Sequence, residues 1–209
     1  MTKYLFTLLF LGSSFLNLIA QSTPQLPAKK LEYQIAYFGE FFAHPGFKVG
    51  AAYPFAQKLK TKEKQKRKYT LTKNRIHQWK VGTNLAFYHQ VNNHNGYLWN
   101  VELTYQKIKN KSKKPNKLKY FDASIGLGYF HYELLGETFQ ATENGFEEIN
   151  GNGNAFMPTL AFAWGRNLRF VKSMDMRYYI KPTFMFEMPV GIGVHPRFAL
   201  EIGVASTLK

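Results

Sequence analysis

Cysteine is absent from this 209-residue sequence. Its absence excludes disulfide bonds, thiolate metal sites, lipid attachment through cysteine and cysteine nucleophiles, so packing and hydrogen bonding must supply all of the stability. Acidic residues are scarce, with 13 Asp and Glu against 28 Lys and Arg, and the formal net charge is +15. After residue 20 the sequence also lacks an apolar run long enough for a transmembrane helix, which needs about 20 residues.

The sequence also lacks the motifs of cofactor and metal sites. It has no phosphate-binding loop, dinucleotide fingerprint or pair of carboxylates in a catalytic arrangement, so we predict that no cofactor is bound. Of the six histidines only His89 and His94 are near one another, beside a turn at Asn92. A hairpin turn can gather two imidazoles without any metal being bound, so we predict no metal centre.

The N-terminal residues have the pattern of an export signal. A short positive start at residues 1–3 precedes the apolar stretch 4–20, and the polar stretch that begins at Gln21 follows a small residue. We predict cleavage after Ala20, which makes residues 1–20 a signal peptide, 21–30 a short extension and 31–209 one domain. The alternative is an uncleaved membrane anchor, which the length of 4–20 just permits.

What the sequence does contain is an alternating pattern, repeated about eight times, in segments of roughly ten residues. In residues 120–129, Phe121, Ile125 and Leu127 share one face of a strand, whereas Gly126 and other small or polar residues share the other. Aromatics are abundant, with 19 Phe and 13 Tyr, more than a core needs but suited to a lipid-facing wall. The pattern predicts strands at about 31–42, 47–56, 78–90, 97–108, 118–133, 155–165, 176–188 and 195–208.

The fold class we predict is all-β, an eight-stranded antiparallel up-and-down transmembrane β-barrel with a side-chain-filled lumen. A soluble barrel or sandwich would place dense Lys, Glu, Asp and Thr on its wet face, but here the less apolar face consists of Gly, Ala, Ser and isolated charges. Such a face fits the narrow lumen of an eight-stranded barrel. Pro54, Pro158 and Pro182 fall within predicted strands, and we expect them at strand ends or bulges because proline cannot donate to the ladder.

The isolated charges on the less apolar face balance four to four. Enclosed charges are costly unless they are paired, so we predict a salt-bridged network that closes the lumen instead of an open pore. Its predicted members are Lys48, Lys80, Lys181, Arg197, Glu102, Asp122, Glu187 and Glu201.

Positive charge is concentrated in alternate connections, which share one rim of an up-and-down barrel. The long connection 136–154 is acidic and belongs to the other rim. An even number of strands puts both termini on the basic rim and predicts that this rim faces the periplasm, although its long connections are more typical of an outer face. The predicted basic rim comprises Lys58, Lys60, Lys62, Lys64, Lys66, Arg67, Lys68, Lys111, Lys113 and Lys114.

Four explanations of the basic rim stay open. Its residues could be merely solvated, could contact lipopolysaccharide phosphates, could contact peptidoglycan carboxylates, or could bind an acidic periplasmic partner. Nucleic acid is not an expected partner, because export makes it improbable and residues 58–68 contain no aromatic side chain for base stacking. We otherwise expect a monomer surrounded by outer-membrane lipid.

Several segments resemble small outer-membrane β-barrel proteins of the Bacteroidota. They are 44–50, 93–98 and 196–204, together with the predicted cleavage before Gln21. The resemblance covers most of the mature chain and consists of turn and strand patterns of low specificity. It implies a barrel in the outer membrane of a Gram-negative bacterium, exported by the signal peptide, and carries over no activity and no functional residues.

The predicted function is accordingly a non-enzymatic structural or partner-docking role, with two alternatives. One is a lipid A-modifying enzyme, because residues 87–96 faintly resemble the His-plus-Ser signature of outer-membrane lipid A deacylases. Val91 occupies the position two after His89, however, and a remote serine such as Ser124 would have to supply the nucleophile. The other alternative is a soluble periplasmic lipocalin-like binder.

Overall fold

The computed structural model describes residues 28–40, 44–66, 69–111, 114–142, 145–149, 151–168, 175–190 and 193–207. The predicted signal peptide, 1–20, and most of the extension lie outside the described residues. The described residues form ten strands: β1 (Glu32–Glu40), β2 (Gly46–Lys66), β3 (Tyr69–Gln90), β4 (His94–Lys111), β5 (Lys114–Leu134), β6 (Thr138–Thr142), β7 (Gly145–Ile149), β8 (Gly153–Asn167), β9 (Asp175–Val190) and β10 (Gly193–Thr207).

Eight of these strands form a closed antiparallel barrel in the order β1-β2-β3-β4-β5-β8-β9-β10. The ring closes between the first and last strands, with an unbroken register from Glu32 opposite Thr207 to Glu40 opposite Ala199. Closure leaves no free edge along the paired wall. The prediction of an eight-stranded up-and-down barrel is confirmed.

Within the described residues, the chain contains no helix with the length and apolar character that crossing a membrane would require.

Four barrel strands are longer than the apolar pattern predicts. β2 continues to Lys66 and β3 starts at Tyr69, so most of the lysine-rich connection is a paired hairpin. β4 and β5 likewise extend to Lys111 and Lys114. The predicted limits at residues 56 and 78 were wrong, because ladder hydrogen bonds hold a two-stranded ribbon in which neither face needs to be apolar. The acidic connection 136–154 also contains a hairpin, β6 and β7.

The three prolines interrupt strand pairing in different ways. At Pro54 the β2–β3 register shifts, as expected of a bulge. Pro158 and Pro182 lie in continuous strands, but the β8–β9 ladder forms at Phe156, at 159–161 and again from Trp164, with gaps at both prolines. The β5–β8 ladder passes through Pro158 and the β9–β10 ladder through Pro182. The backbone N–H that each of these two prolines lacks would therefore have pointed across the β8–β9 interface.

The two faces of the wall differ in polarity as the alternation predicts. Large apolar side chains are exposed on the outside, among them Ile125, Leu127 and Ile202. The inside is buried and mostly polar, with an apolar cluster at one level that includes Phe38 and Phe130. We call the end where β1 begins and β10 ends the termini end, and the other the opposite end.

Candidate functional site

All eight charged residues predicted for the lumen lie on the inner face of the barrel. Seven are buried and Arg197 is half-buried. Strand alternation places them there, since each shares its face with other buried residues two positions away. They separate into three ionic clusters at successive levels of the lumen.

The middle cluster joins four strands through Lys48, Lys181, Glu102 and Glu201. The Lys48 ammonium lies 2.8 Å from Glu201 Oε1 and 3.3 Å from Glu102 Oε1. Lys181 Nζ lies 2.7 Å from Glu102 Oε2 and 3.8 Å from Glu201 Oε1. Thr183 Oγ1 donates to Glu201 at 3.0 Å. Two cations and two carboxylates therefore neutralise one another inside the wall.

The termini-end cluster contains Lys80 and Asp122 together with two residues that were not predicted for the lumen. Glu32 Oε1 lies 2.8 Å from Lys80 Nζ and 3.0 Å from Arg177 Nη2, and Arg177 Nη1 lies 2.9 Å from Asp122 Oδ2. Arg177 falls within the predicted strand 176–188 but was not assigned to the lumen, and β9, which begins at Asp175, places it on the face of Lys181. The four-residue spacing from Lys181, an even number that places both side chains on one face of a strand, was the signal that could have identified it.

The opposite-end cluster is centred on Arg197. Its guanidinium lies 2.7 Å from Glu40 Oε1 and 2.6 Å from Glu187 Oε2, donates to Tyr88 Oη at 3.0 Å and stacks over Phe130 at 5.0 Å. Glu40 was not predicted, because β1 has apolar groups on both faces and its inward side was ambiguous. One arginine here neutralises one of two carboxylates.

Side chains leave little open space between the two mouths of the lumen. The cavity between the termini-end and middle clusters is about 30 Å³ and is lined by Lys80, Glu102, Asp122 and Tyr179 among others. Its volume accommodates only one or two water molecules. The mouths are wider, about 530 Å³ at the termini end and about 420 Å³ at the opposite end.

Small inward residues make this filling possible. A Cβ added to Gly126 would lie 2.5 Å from Thr159 Oγ1 and 3.0 Å from Asn100 Nδ2. Asn100 donates to Thr159 at 3.1 Å, so a side chain at residue 126 would displace that hydrogen bond. Glycine is needed here for close approach across the lumen.

The outer wall has aromatic side chains at two levels with a constant spacing. In five strands an aromatic residue near the termini end is followed or preceded, eight positions away, by one near the opposite end. Eight positions correspond to about 26 Å along a strand, close to the 9–11 residues that span a bilayer when tilted. The pairs are Trp79 and Phe87, Tyr105 and Tyr97, Phe121 and Tyr129, Trp164 and Phe156, and Tyr178 and Phe186.

Apolar residues fill the wall between these two aromatic levels. Val81, Val101, Leu103 and Leu160 are exposed outward there. Thr83 is a polar exception, and its hydroxyl accepts a hydrogen bond from Trp99 Nε1 at 2.9 Å. The outer wall is thus an apolar belt bounded by aromatic rings.

The predicted basic rim lies at the termini end. Lys58 and Lys60 are exposed. Five more of its lysines lie in strands, but their side chains are outside the described part of the structure: Lys62, Lys64, Lys66, Lys111 and Lys114. Three further residues, Arg67, Lys68 and Lys113, lie outside the described residues altogether. The paired strands add four further basic residues to this end: Arg75, Lys109, Lys119 and Arg166.

The two histidines near the predicted turn lie on opposite faces of the barrel wall. His89 lies on the outer face, 2.8 Å from Asn95 Oδ1, whereas His94 is buried inside, 2.9 Å from Tyr88 Oη. Ser124 is also inside, 3.0 Å from Thr104 Oγ1. His89 and Ser124 are therefore separated by the wall and cannot form a nucleophile–base pair. Among the described residues no cluster of three His, Asp or Glu is placed to hold a metal.

These features define a class of protein: a small closed antiparallel barrel with an apolar outer wall and an ionically filled lumen. Neither a protein-family model nor a curated protein matches this sequence. Among solved structures, the chain is similar to the β-domain of the Bordetella autotransporter BrkA, with 8% identity and a TM-score of 0.24, over 87% of this chain and 100% of that one.

Proposed function

We propose that this protein is a non-enzymatic barrel that spans the outer membrane of a Gram-negative bacterium and has a structural or partner-docking role. The observation that carries the proposal is the inverted polarity of the wall: an apolar belt between two aromatic levels outside, and ionic clusters inside. A filled lumen passes no solute, so what the protein contacts must bind at its rims or its outer wall.

The inverted polarity is the reason to prefer a membrane barrel to a soluble lipocalin-like binder. A soluble barrel that binds apolar ligands has an apolar interior and a wet exterior. In this barrel Lys181 and Glu102 occupy the interior and Ile125 and Leu127 the exterior. In water that exterior would be a continuous apolar patch around the molecule, whereas in lipid it is solvated.

Cell fractionation followed by an unboiled gel tests the proposal. We expect the protein in the outer-membrane fraction, and we expect the unboiled and boiled forms to migrate differently, because a closed barrel resists detergent until it is heated. Protein recovered in the soluble periplasmic fraction, with the same migration before and after boiling, would contradict the proposal.

A further inference from the structure

Five basic side chains form one cross-strand row on the outer face at the termini end. The register places Lys60 opposite Arg75, Arg75 opposite Lys109, Lys109 opposite Lys119, and Lys119 opposite Arg166. We call these five residues the basic row. Four of them are exposed and Arg75 is half-buried.

Side chains directly opposite one another in an antiparallel pair have Cβ atoms only about 4.5–5.5 Å apart. The row therefore contains four consecutive like-charge contacts, and like charges in that position destabilise a sheet. Among residues with described side chains, no carboxylate forms an ion pair with any member of the row. Within the described side chains, the barrel wall thus maintains a line of positive charge that no carboxylate neutralises.

The basic row lies beside the aromatic level at the termini end of the apolar belt. Lys119 is two positions beyond Phe121 and Arg166 two positions beyond Trp164, on the same outward face. Arg75 and Lys109 are four positions beyond Trp79 and Tyr105. Aromatic rings of this kind occupy the membrane–water interface, so the next outward-facing positions are at the level of the lipid headgroups.

We infer that the basic row binds the phosphate groups of anionic membrane lipids in the leaflet at the termini end. The inference rests on the proposed membrane location and identifies the molecules that contact this rim. Each Lys or Arg near such a surface is attracted to lipid phosphate, and Arg can hold a phosphate with two hydrogen bonds. Bound phosphates would offset the repulsion along the row.

Three features favour lipid over an acidic protein partner or free phosphate. The row points outward from the wall, in the same direction as the lipid-facing side chains of its strands. It follows the circumference of the barrel across five strands, β2, β3, β4, β5 and β8, as a layer of lipid headgroups does. Its members are also spread along a line instead of converging on one point, as a pocket for a single free anion would require.

Tryptophan fluorescence can test which lipids touch this part of the wall. Trp79 and Trp164 lie near the basic row, whereas Trp99 lies nearer the opposite end, where it pairs with Leu85 and Tyr129. In phosphatidylcholine vesicles we would compare quenching by a small fraction of brominated phosphatidylglycerol with quenching by the same fraction of brominated phosphatidylcholine. Trp99→Phe protein reports on the termini end, and the Trp79→Phe/Trp164→Phe variant reports through Trp99.

We expect phosphatidylglycerol to quench the Trp99→Phe protein several-fold more effectively than phosphatidylcholine does, and to show no preference in the other variant. Replacing all five row residues with Gln should abolish the preference. The matched control replaces Lys62, Lys64, Lys66, Arg67 and Lys68 with Gln, which removes the same charge from the hairpin tip. The control should keep the preference.

Several outcomes would overturn the inference. They are equal preference in both tryptophan variants, a preference that survives loss of the row, and an equal loss in the hairpin-tip control, which would indicate net charge alone. If sodium phosphate suppressed the preference more than sodium chloride of equal ionic strength, the row would be a free-phosphate site. Should the five-residue variant not fold, Lys109→Gln/Lys119→Gln should still reduce the preference, and its failure to do so would also count against the inference.

Heat-modifiable migration of each variant keeps this test separate from the proposed function. A protein that inserts into vesicles as a folded barrel but shows no lipid preference would overturn only the inference about the row. A protein that does not insert at all would overturn the proposed membrane location first.

Discussion

Lys48 illustrates how a single buried charge is tolerated inside this barrel. Its ammonium is shared between Glu102 and Glu201, so each carboxylate has a cation within 3.3 Å. Transfer of an isolated charge from water into such an interior costs several kcal/mol, and pairing recovers most of that cost. Each member of the cluster is therefore needed mainly because its partners are buried.

Removal of one member should be more harmful than removal of a pair. We expect Lys48→Met to lower the free energy of unfolding by about 3–5 kcal/mol, since it leaves two carboxylates with one lysine. Adding Glu201→Gln should recover part of the loss, because Lys181 and Glu102 then neutralise each other. Urea unfolding in detergent micelles measures both, and Lys60→Met on the exposed row, expected within about 0.5 kcal/mol of wild type, is the control. A double variant less stable than Lys48→Met would contradict this account.

His77, at the termini end just beyond the membrane belt, should titrate below its ordinary range. Partial burial of the ring, then the charges of Lys60, Lys107 and Arg75, hold the pKa of the His77 imidazole below its usual value of 6.5. The folded state therefore binds this proton less tightly than the unfolded chain, so the contribution of His77 to stability falls as the pH drops below about 6.5.

An NMR titration of the His77 ring measures this effect. Lys60→Gln/Arg75→Gln should move the pKa of His77 upward toward 6.5, because two of the neighbouring positive charges are removed. Arg67→Gln/Lys68→Gln, which removes the same charge from the hairpin tip, should change it less. An equal response to both variants would show that the overall charge, and not the immediate neighbours, sets the titration.

At the residue scale the sequence allowed the inward charges to be predicted wherever a strand had a clean alternation. Lys48, Lys80, Glu102, Asp122, Lys181 and Glu201 stand between apolar positions and were assigned to the inner face. Glu32 and Glu40 were missed because β1 has aromatic residues in consecutive positions, which hides its period. Which charges pair could not be predicted, because the partners lie on strands that are distant in sequence.

At the element scale, the hairpin of β2 and β3 extends beyond the barrel wall, and one side of β2 has no strand paired with it there in the described structure. β1 pairs with β2 only as far as Glu32 opposite Ala52, so in the described structure no strand pairs with that side of β2 from Tyr53 onward. Lys29 donates from its ammonium to the carbonyl of Phe55 at 2.5 Å. Lysines along an edge strand hinder pairing with another chain, because stacking them is repulsive. The lysine-rich sequence therefore also protects the hairpin from edge-to-edge association.

The β8–β9 interface is expected to be the weakest seam of the barrel wall. Pro158 and Pro182 each withhold a ladder donor from it, and the carbonyl groups opposite them lie at the level of the apolar belt, where water cannot substitute. Pro158→Val/Pro182→Val should restore two ladder bonds. We expect a net gain of about 1 kcal/mol, since each bond contributes about 0.5–1.5 kcal/mol and each lost proline costs about 0.4–1 kcal/mol through the unfolded chain.

Urea unfolding of the barrel in lipid vesicles measures that gain. Pro196→Val is the comparison, because residue 196 is exposed near the beginning of β10 and should gain no buried hydrogen bond. If the double variant were destabilised as much as Pro196→Val, the carbonyl groups at the seam would already be satisfied in another way.

The strand ends of the hairpins were the least predictable elements. Periodic apolarity identified the parts of β2, β3, β4 and β5 that lie in the belt, because lipid on one side and a packed lumen on the other enforce alternation. Beyond Ala56 and before Gln78 polar and charged residues predominate, with only scattered apolar residues such as Leu59 and Ile76, so the sequence shows no regular alternation although the backbone stays paired. The eight-position spacing of aromatic residues was visible in the sequence but became meaningful only with the register.

For the whole molecule, the filled lumen predicts the absence of ion conduction. We expect planar bilayers containing the purified protein to show no channel steps. Replacing Lys48, Lys181, Glu102 and Glu201 together with Ala keeps the net charge and empties the middle of the lumen, and this variant should conduct. Conduction by the wild-type protein, or its absence in a correctly folded emptied variant, would show that another part of the barrel controls passage.

The orientation of the barrel is a separate prediction. Because β1 begins at Glu32 and β10 ends at Thr207, both on the basic side, we expect that side to face the periplasm. Protease treatment of intact cells should then leave 58–68 uncut and allow cleavage within 143–148. Cleavage within 58–68 while 143–148 stays intact would reverse the assignment.

The three ionic clusters have a consequence for how the barrel assembles. Lys48 and Glu201 are 153 residues apart, and Arg197 and Glu40 are 157 apart, so both contacts can form only when the first and last strands meet. A strand that slips by two positions keeps its apolar face toward lipid, and the hydrophobic pattern alone does not penalise it. The same slip moves a lumen charge by about 7 Å along the strand, beyond the reach of its partner. The buried ions therefore disfavour a two-residue slip at ring closure, which the apolar pattern alone would permit.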